Sequence, residues 1–340
     1  MVSMPSGPTG RPVMADVAKL AGVSHQTVSR VLNGHPNVSR ATRKEVQAAI
    51  RELGYRRNAA ARALVTGRTH TLGVISFDNT IFGPASMLYG VERAAHPGGY
   101  SVVVANVSAA GTSMFEAVER FLEQAVEGII VIAPRTSDVA ALASVAAEVP
   151  LVAVKCGTGA RLPSVAIDNV AGAARATRYL LDLGHLTVHH IAGPGTWLDA
   201  EERVAGWRVA LAAAEAPEPA MMQGDWSALS GYEAGRRLAL IPEVTAVFCG
   251  NDQMALGAIR ALAEQGRRVP ADVSVVGFDD IPEAGFFWPP LTTVRQDFGE
   301  LGRRAVAMLI DRISGQRPDY PAVPVVPELI VRASTARCAR

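Results

Sequence analysis

The chain has 340 residues, of which 49% are hydrophobic and 19% charged, and its formal net charge is +1. This length and composition exclude a disordered chain and are typical of a globular protein with two or three domains. Residues 1–68 hold eleven Lys or Arg against three Asp or Glu and the remainder 22 against 29, so a basic module precedes an acidic body, which predicts phosphate contacts at one end only.

Residues 1–12 are rich in Ser, Gly and Pro and are predicted to be disordered. They lack the apolar run of a secretory signal, and no later segment has the length of a membrane span. Three widely spaced cysteines argue against a disulfide framework or a cysteine-based metal site. The sequence therefore predicts a cytoplasmic protein with no membrane partner.

Residues 13–57 have the periodicity of three short helices. Apolar residues of the first recur at helical spacing: Val17, Leu20, Ala21. Gly22 permits a tight turn, and Ser24 is placed to cap the second helix by accepting backbone N–H bonds. The inward face of the second helix holds Val28, Val31 and Leu32. Its opposite face leaves polar side chains free to read base edges: His25, Gln26, Ser29, Arg30.

A third helix is predicted over residues 41–53, with Ser39 as its cap and Gly54 as its stop. Its inward positions are Val46, Ile50 and Leu53. Helix, turn and helix followed by a third helix is a pattern for reading the DNA major groove. The alternative is a plain three-helix bundle with a chance turn, and the basic charge of the segment argues against it.

The motif carried by residues 16–34 is D-V-A-x-x-A-G-V-S-x-x-T-V-S-R-V-L-N-G, and residues 38–43 follow with V-S-x-x-T-R. The two motifs resemble the headpiece of the lactose-repressor family of bacterial transcription factors. The resemblance implies DNA contacts by His25, Gln26, Ser29, Arg30, Asn33, Ser39 and Thr42, and, in the segment that follows, by Asn58, Ala61 and Leu64.

Residues 58–68 form an Ala-rich hinge or linker that is too short to be a stable helix alone. In the family that the headpiece resembles, this segment becomes helical when two copies meet on DNA, and a leucine wedges into the minor groove. Leu64 stands at the matching position, and such a wedge kinks the duplex by partial unstacking. The alternative is a flexible linker whose leucine packs on the next domain.

Beyond residue 69 the sequence alternates apolar runs with helical periodicity, which favours parallel α/β units. The predicted strands are 71–77, 101–107, 128–133, 151–154, 165–167, 188–192, 246–249 and 273–278. The predicted helices are 85–95, 113–127, 171–183, 201–214, 231–240 and 254–265. Eight strands indicate two lobes rather than one. The glycine-rich nucleotide motifs and the G-x-S-x-G nucleophile motif are absent from the sequence, so we expect no enzyme and no cofactor.

The resemblance to the same family continues through residues 224–231, 251–258, 274–280 and 289–298. It implies the two-lobed α/β fold of periplasmic sugar-binding proteins, with parallel sheets and three crossovers between the lobes. We expect the third crossover near Gln296, with the effector-binding and dimerisation domain over residues 69–340. The N-lobe is predicted as 69–168 with 296–325, and the C-lobe as 169–295 with 326–340.

Ligands of such sheets bind beyond the carboxyl ends of strands, so polar residues that follow apolar runs are the first candidates. Candidates of this kind are Lys155, Asp168, Asp199, Arg203, Asn251 and Asp279. Trp226 offers an apolar face to a ring, and Ile81, Phe82 and Pro84 are placed to complete a dry wall. By resemblance, the effector contacts are Arg203, Asn251, Asp279, Trp226 and Gln296.

Two positions depart from the family pattern. Lys155 stands where the related sugar repressors carry an acidic residue, and Ala109 lies near the place of an expected arginine. A lysine there fits another sugar epimer, an anionic effector, or a simple pair with Asp168. The identity of the effector is therefore open.

Each candidate also has a structural interpretation. Arg203 and Asp279 can form a buried ion pair without ligand contact, and Trp226 can be a core aromatic residue. Asp252 and Asp280 are expected to cap helices. Glycosidase chemistry is disfavoured because Asp279 and Asp280 are neighbours whose side chains diverge. The seven histidines show no metal-binding spacing.

The sequence therefore predicts a homodimeric, nucleoid-associated repressor of carbohydrate-utilisation genes. It binds a palindromic operator and is released by a small sugar that spreads the two hinges. No heptad tail for tetramer assembly is visible, and the resemblance implies that the segment of residues 87–95 contributes to the dimer contact. The alternatives are a transport protein, which would need no basic headpiece, and an activator or global regulator gated by a partner protein or an anionic effector.

Overall fold

The computed structural model describes residues 12–338 except 57, 59–62, 65, 78–79, 108–112, 133–148, 155–162 and 317–322. The chain divides into two compact units, Met1–Thr69 and His70–Arg340. We call the first the headpiece and the second the body. No helix in these described ranges has the length and hydropathy needed to cross a membrane.

Three helices form the headpiece: α1 (Met14–Leu20), α2 (His25–Leu32) and α3 (Arg40–Leu53). The hydroxyl of Ser24 accepts the amide N–H of Thr27 at 3.1 Å. Ser39 accepts that of Thr42 at the same distance, 3.1 Å. Gly54 ends α3 in the left-handed conformation with φ of 61°. Both predicted caps and the predicted stop are confirmed.

The headpiece core contains Val17, Ala18, Val28, Val31, Val46 and Ala49. Leu20, which shares helical spacing with Val17, is not part of this core, because its side chain is 45% exposed. The neighbouring Val17 and Ala18 form the buried face of α1 instead. Helical spacing alone did not distinguish these two faces, since a seven-residue helix offers few positions to compare.

Part of the hinge is helical in the single chain. Ala63, Leu64 and Thr66 have helical conformation, and the amide of Gly67 donates to the carbonyl of Ala63 at 2.8 Å. The side chain of Leu64 is 89% exposed. It is therefore accessible to a partner outside the chain.

The first lobe of the body is a parallel sheet between helices. Its elements are β1 (Thr71–Phe77), α4 (Phe82–Ala95), β2 (Ser101–Val107), α5 (Met114–Glu123), β3 (Gly128–Ile132), β4 (Leu151–Val154) and β5 (Ser164–Val165), with a 3₁₀ turn at His96–Gly98. The strand order is β2-β1-β3-β4-β5. Separate hydrophobic clusters cover its two faces, one around Val91 and one around Phe121.

The second lobe repeats this architecture. Its elements are α6 (Asn169–Asp182), β6 (His189–Ala192), α7 (Leu198–Ala213), β7 (Met222–Gln223), α8 (Ala228–Ala239), β8 (Ala246–Cys249), α9 (Asp252–Glu264), β9 (Ser274–Val276) and a 3₁₀ turn at Pro282–Phe286. The strand order is β7-β6-β8-β9, again parallel. The clusters on its faces centre on Met254 and on Trp207.

Three further elements connect the lobes: β10 (Thr293–Arg295), α10 (Phe298–Ile313) and β11 (Glu328–Ile330). Strands β10 and β11 pair antiparallel. Beyond Gln296 the chain returns to the first lobe, where Leu301 and Leu309 of α10 join its core. After β11 the chain packs on the second lobe, and Ser334 there is fully buried.

The predicted two-lobed parallel architecture is confirmed, and the differences are local. Helix α4 starts at Phe82 rather than at residue 85, and α7 starts at Leu198 rather than at residue 201. Strands of two or three residues were missed because they show no period. Helix α10 was also missed, although its cap Asp297 signals it.

Candidate DNA interface and effector site

Helix α2 presents a polar face anchored by two buried valines. Val28 and Val31 lie in the headpiece core. On the opposite side His25, Gln26 and Arg30 are exposed and Ser29 is half-buried. The exposed Asn33 caps the end of α2 and its amide donates to the Ser29 hydroxyl at 3.4 Å. This arrangement suits a recognition helix, and the individual DNA contacts stay predictions.

The other DNA-contact candidates differ in their surroundings. The hydroxyls of Ser39 and Thr42 bond to each other at 2.9 Å, so both stabilise the start of α3. Asn58 and Leu64 are exposed. Ala61 lies outside the described residues. The amides at the start of α3 remain suited to a DNA phosphate through the positive end of the helix dipole.

Arg203 in the first half of α7 is the centre of the body site, and it is 3% exposed. Its Nε donates to Oδ1 of Asn169 at 3.0 Å, and its Nη1 donates to the carbonyl of Gly250. Its Nη2 lies 3.4 Å from Oδ1 of Asp279. The guanidinium also lies over the ring of Phe278, 3.8 Å from the ring centroid. Arg203 is therefore held by both polar and aromatic partners.

Asp279 contacts both Arg203 and Gln296, and Gln296 lies in the segment that joins the two lobes. The backbone of Asp279 has a positive φ of 110°, and its carboxylate accepts a hydrogen bond from Nε2 of Gln296. Oε1 of Gln296 and Nε1 of Trp226 are buried and have no hydrogen-bond partner among the described residues. Because buried polar atoms are normally satisfied, this acceptor and this donor are candidates for contact with a ligand.

Asn251 positions Trp226. It caps α9, with Oδ1 accepting the amide of Met254 at 2.9 Å and Nδ2 donating to the carbonyl of Trp226 at 3.0 Å. The Trp226 ring lies against Gly193, where any Cβ would overlap the ring. The backbone at Gly193 therefore lies directly against the ring, and the guanidinium of Arg203 lies over the same ring, 5.4 Å from its centroid.

Asn169 is a site residue that sequence reasoning missed. Its amide nitrogen donates to Asp199 and to Glu202, each at 3.1 Å, while its oxygen accepts from Arg203. Its position directly after Asp168 was the available signal. Asp168 itself caps α6 by accepting the amide of Ala171 at 2.8 Å.

The apolar side of the site combines both lobes. Ile81 and Phe82 pack against the hydrophobic cluster of the second lobe that contains Trp197 and Trp226. Pro84 is buried in the first turn of α4. The two indoles meet edge to face, with ring centroids 5.9 Å apart. Trp197 was also missed, since a tryptophan before a helix is most often a core residue.

Lys155 and Ala109, the departures from the family pattern, lie outside the described residues. The described part of the site therefore supplies its charge through Arg203 and through the carboxylates of Asp199, Glu202 and Asp279.

The expectation that Asp252 and Asp280 cap helices is wrong. Asn251 is the cap, and the buried Asp252 accepts from the amide of Ile281 at 2.8 Å and the hydroxyl of Thr293 at 2.5 Å. Burial, and then the charge of Asp279, raise the pKa of Asp252 to about 8. Asp280 instead pairs with arginines, at 2.7 Å from Arg295 and 2.6 Å from Arg332.

The adjacent histidines of β6 belong to the core. The ring of His190 stacks on Phe248 with centroids 4.7 Å apart, and its Nδ1 lies 2.9 Å from the carbonyl of Phe248. Burial lowers the pKa of His190 to about 4. Across the ranges that the structure describes, no group of three His, Cys, Asp or Glu could hold a metal ion.

Comparisons with known proteins match both units. Residues 13–58 match bacterial regulatory proteins of the lacI family, and residues 177–335 match the periplasmic binding protein-like domain. The lactose operon repressor of Escherichia coli K12 is 37% identical over 306 residues, which covers 88% of this chain and 84% of that protein. The transcriptional regulator CelR of Thermobifida fusca is 38% identical over 335 residues, 95% and 98% of the two chains.

Solved structures agree with these relatives. The lac repressor dimer bound to operator and the anti-inducer ONPF has a TM-score of 0.86 at 35% identity, and the match covers 96% of this chain and 99% of that one. The complex of CelR with cellobiose has a TM-score of 0.70 at 36% identity, covering 95% and 100%. The matched proteins are transcriptional regulators rather than enzymes. With a DNA-reading headpiece and a two-lobed body along one chain, the protein belongs to the lacI family of bacterial regulatory proteins.

Proposed function

We propose that the protein is a homodimeric repressor of carbohydrate-utilisation genes that leaves a palindromic operator when a small neutral sugar binds between its lobes. The observation that carries the proposal is a pair of buried polar atoms, on Trp226 and Gln296 beside the Arg203 network, that have no hydrogen-bond partner in the described part of the chain. A sugar hydroxyl can both accept from the indole N–H and donate to the amide oxygen. The related repressors of the lactose and ribose operons support the regulatory role.

On the DNA side, residues 13–57 read a half-site and residues 58–68 act as the hinge. A two-fold dimer places two α2 helices in successive major grooves of an inverted repeat. Arg30 suits guanine, and Gln26 suits adenine. The exposed Leu64 is placed to wedge between the central base pairs in the minor groove.

Charge favours a neutral effector over a phosphorylated one. Asp199, Glu202 and Asp279 carry three negative charges near the described site. All three nitrogens of Arg203 already contact protein acceptors. A phosphate would need an uncommitted cation, which Lys155, outside the described residues, would have to supply, whereas sugar hydroxyls donate readily to the described carboxylates.

The positions of the proposed effector contacts explain how the effector releases the protein from operator DNA. Gln296 is in the segment between β10 and α10 that joins the lobes, and Phe82 packs against the hydrophobic clusters of both lobes. A ligand held by Gln296 and Trp226 therefore favours one arrangement of the lobes over another. That shift in population separates the hinges and weakens operator binding.

Exposed apolar side chains of the second lobe support a dimer. Phe286 and Trp288 are 90% and 92% exposed. Leu229 and Leu256 are exposed on α8 and α9. In the predicted segment of residues 87–95, several side chains are instead buried in their own lobe: Met87, Val91, Ala95. Only the outer face of that helix, around Tyr89, is open to a second copy.

Selection of duplexes from a randomised pool by the purified protein tests the proposal. We expect enrichment of an inverted repeat, and at least tenfold weaker binding to it when the active sugar is present at saturation. The Leu64→Ala variant should bind the repeat more weakly while keeping its sugar affinity, because the wedge touches only DNA. No enrichment of a palindrome would contradict the proposal. An effect of sugar phosphates alone would instead support the anionic effector.

A further inference from the structure

The chain enters the body through a residue with an uncommon backbone conformation. His70 is the first residue of the body, and its φ of 50° lies in the left-handed region. Few residues with a side chain adopt this region, and one that does so is held there by its surroundings. The contacts that hold His70 therefore fix the direction of the chain that precedes it.

Glu127, directly before β3, holds the backbone of His70. Its Oε1 accepts the amide N–H of His70 at 2.7 Å, and its Oε2 accepts the hydroxyl hydrogen of Tyr100 at 3.3 Å. The amide of Glu127 donates to the carbonyl of Thr71 at 2.9 Å. One carboxylate therefore joins the entry point of the body to the residue before β2 and to the start of β3.

Two further contacts tie His70 to β2. Its carbonyl accepts the amide N–H of Ser101, the first residue of β2, at 2.8 Å. Its imidazole lies against the ring of Tyr100, with ring centroids 5.4 Å apart. Because β1 lies between β2 and β3 in the sheet, His70 is connected to all three strands. Any movement of the first sheet therefore carries His70 with it.

We propose that Glu127 is a positioning residue for operator binding, which fixes the chain where the hinge joins the body and thereby sets the half-site spacing that the dimer accepts. The inference rests on the proposed function. Two headpieces of a dimer reach both half-sites only if their attachment points have the matching separation. A base pair added at the centre of the repeat moves one half-site by about 3.4 Å and turns it by about 35°. A fixed attachment point cannot follow this change, whereas a released one can.

A purely structural role for Glu127 makes a different prediction. If Glu127 only stabilises the first lobe, its loss weakens binding to every duplex by the same factor. If it fixes the attachment of the hinge, its loss narrows the difference between the optimal repeat and repeats of altered spacing. The ratio of those dissociation constants therefore separates the roles.

Fluorescence anisotropy of the full-length protein measures this ratio. The duplexes are the inverted repeat that the wild-type protein selects and versions of it with one central base pair added or removed. We expect the wild-type protein to bind the altered repeats at least tenfold more weakly. Glu127→Ala should reduce this difference to less than threefold. Glu127→Gln should keep most of it, because its amide oxygen still accepts the N–H of His70.

A matched pair of variants at residue 70 tests the same contact without changing Glu127. His70→Pro removes the amide donor and excludes a positive φ, so it should lose the discrimination between spacings. His70→Asn keeps the amide and tolerates the left-handed region, so it should retain the discrimination. Glu123→Ala removes an exposed carboxylate of α5. It controls for weaker repulsion of DNA and should leave the ratio unchanged.

The outcomes separate this inference from the proposed function. Wild-type discrimination in Glu127→Ala, or in His70→Pro if the first variant does not fold, would overturn the inference while leaving the repressor intact. A wild-type protein that binds all three spacings alike would do the same. Selection of no inverted repeat by the wild-type protein would overturn the proposed function and the inference with it.

Discussion

The headpiece and the effector site place their functional side chains in opposite surroundings. His25, Gln26 and Arg30 project from α2 into solvent. Arg203 and Asp279 are buried and contact each other. Recognition of DNA is therefore separable from folding in the headpiece, because exposed side chains contribute little to stability. In the body the residues proposed to contact the effector also hold the lobe together, so we expect function and stability to change together.

The variant Arg203→Met tests this contrast and is expected to have the largest effect on stability. Removing the guanidinium leaves the buried carboxylate of Asp279 without its cation, which should lower the free energy of unfolding by about 3–5 kcal/mol. Urea unfolding followed by tryptophan fluorescence measures this in the body alone, since all four tryptophans lie beyond residue 190.

The double variant Arg203→Met with Asp279→Asn is the matched control. It removes both charges, so most of the lost stability should return while sugar binding stays absent. A single variant that loses less than about 1 kcal/mol would show that the pair behaves like a surface ion pair. The contrast between buried site and exposed headpiece would then be incorrect.

A second test uses the loss of stability at acid pH that the burial of His190 predicts for the body. Burial lowers the pKa of His190 to about 4 from its ordinary value of 6.5. As the pH falls from 6.5 to 4, His190 binds a proton in the unfolded chain but not in the folded chain. The free energy of unfolding therefore decreases across that pH range. The full effect is about 3 kcal/mol. Above pH 6.5 this contribution to the pH dependence vanishes.

His190→Phe should remove this contribution, because it keeps the stacking on Phe248 without a titrating group. Urea unfolding of both proteins at pH 7, 6, 5 and 4 gives the difference, in which other titrating groups cancel. The variant loses the bond to the carbonyl of Phe248 and should be less stable at pH 7, yet it should lose less on acidification. Parallel curves would contradict the assigned cause.

The smallest expected effect is a change in affinity for operator DNA. Arg30→Ala should cost about 1–3 kcal/mol of operator affinity at one base position and relax the preference there. Because Arg30 is exposed, the unfolding of the body should not change. Fluorescence anisotropy across operator variants measures this, with Lys44→Ala as the control that weakens all sequences alike. A uniform loss for Arg30→Ala would reassign that residue to the phosphates.

Sequence reasoning reached local features and family features by different routes. The caps Ser24 and Ser39 and the stop at Gly54 were predictable because their partners lie within four residues. Arg203 and Asp279 are 76 residues apart in sequence, so their pairing was predicted from their positions after apolar runs and from resemblance to a known family rather than from local spacing. The contacts of both residues with the effector stay predictions.

The features that sequence reasoning missed depend on tertiary contacts, which leave no local pattern in the sequence. Asn169 becomes a site residue because α6 packs beside α7. Aspartate is a residue type that often caps helices, but the fold buries Asp252 against Thr293. The neighbouring Asn251 is the cap of α9 instead. Neither outcome follows from spacing, since each depends on which elements the fold brings together.

The late position of α10 has a consequence for synthesis on the ribosome. Its Leu301 and Leu309 pack in one cluster with Leu72 and other side chains of the first sheet, yet translation delivers them only after all four strands of the second sheet. The nascent first lobe therefore carries an uncovered apolar face while the second lobe completes its own core. A ribosome stalled before residue 298 would display a chain that chaperones must shield, although its headpiece is already folded.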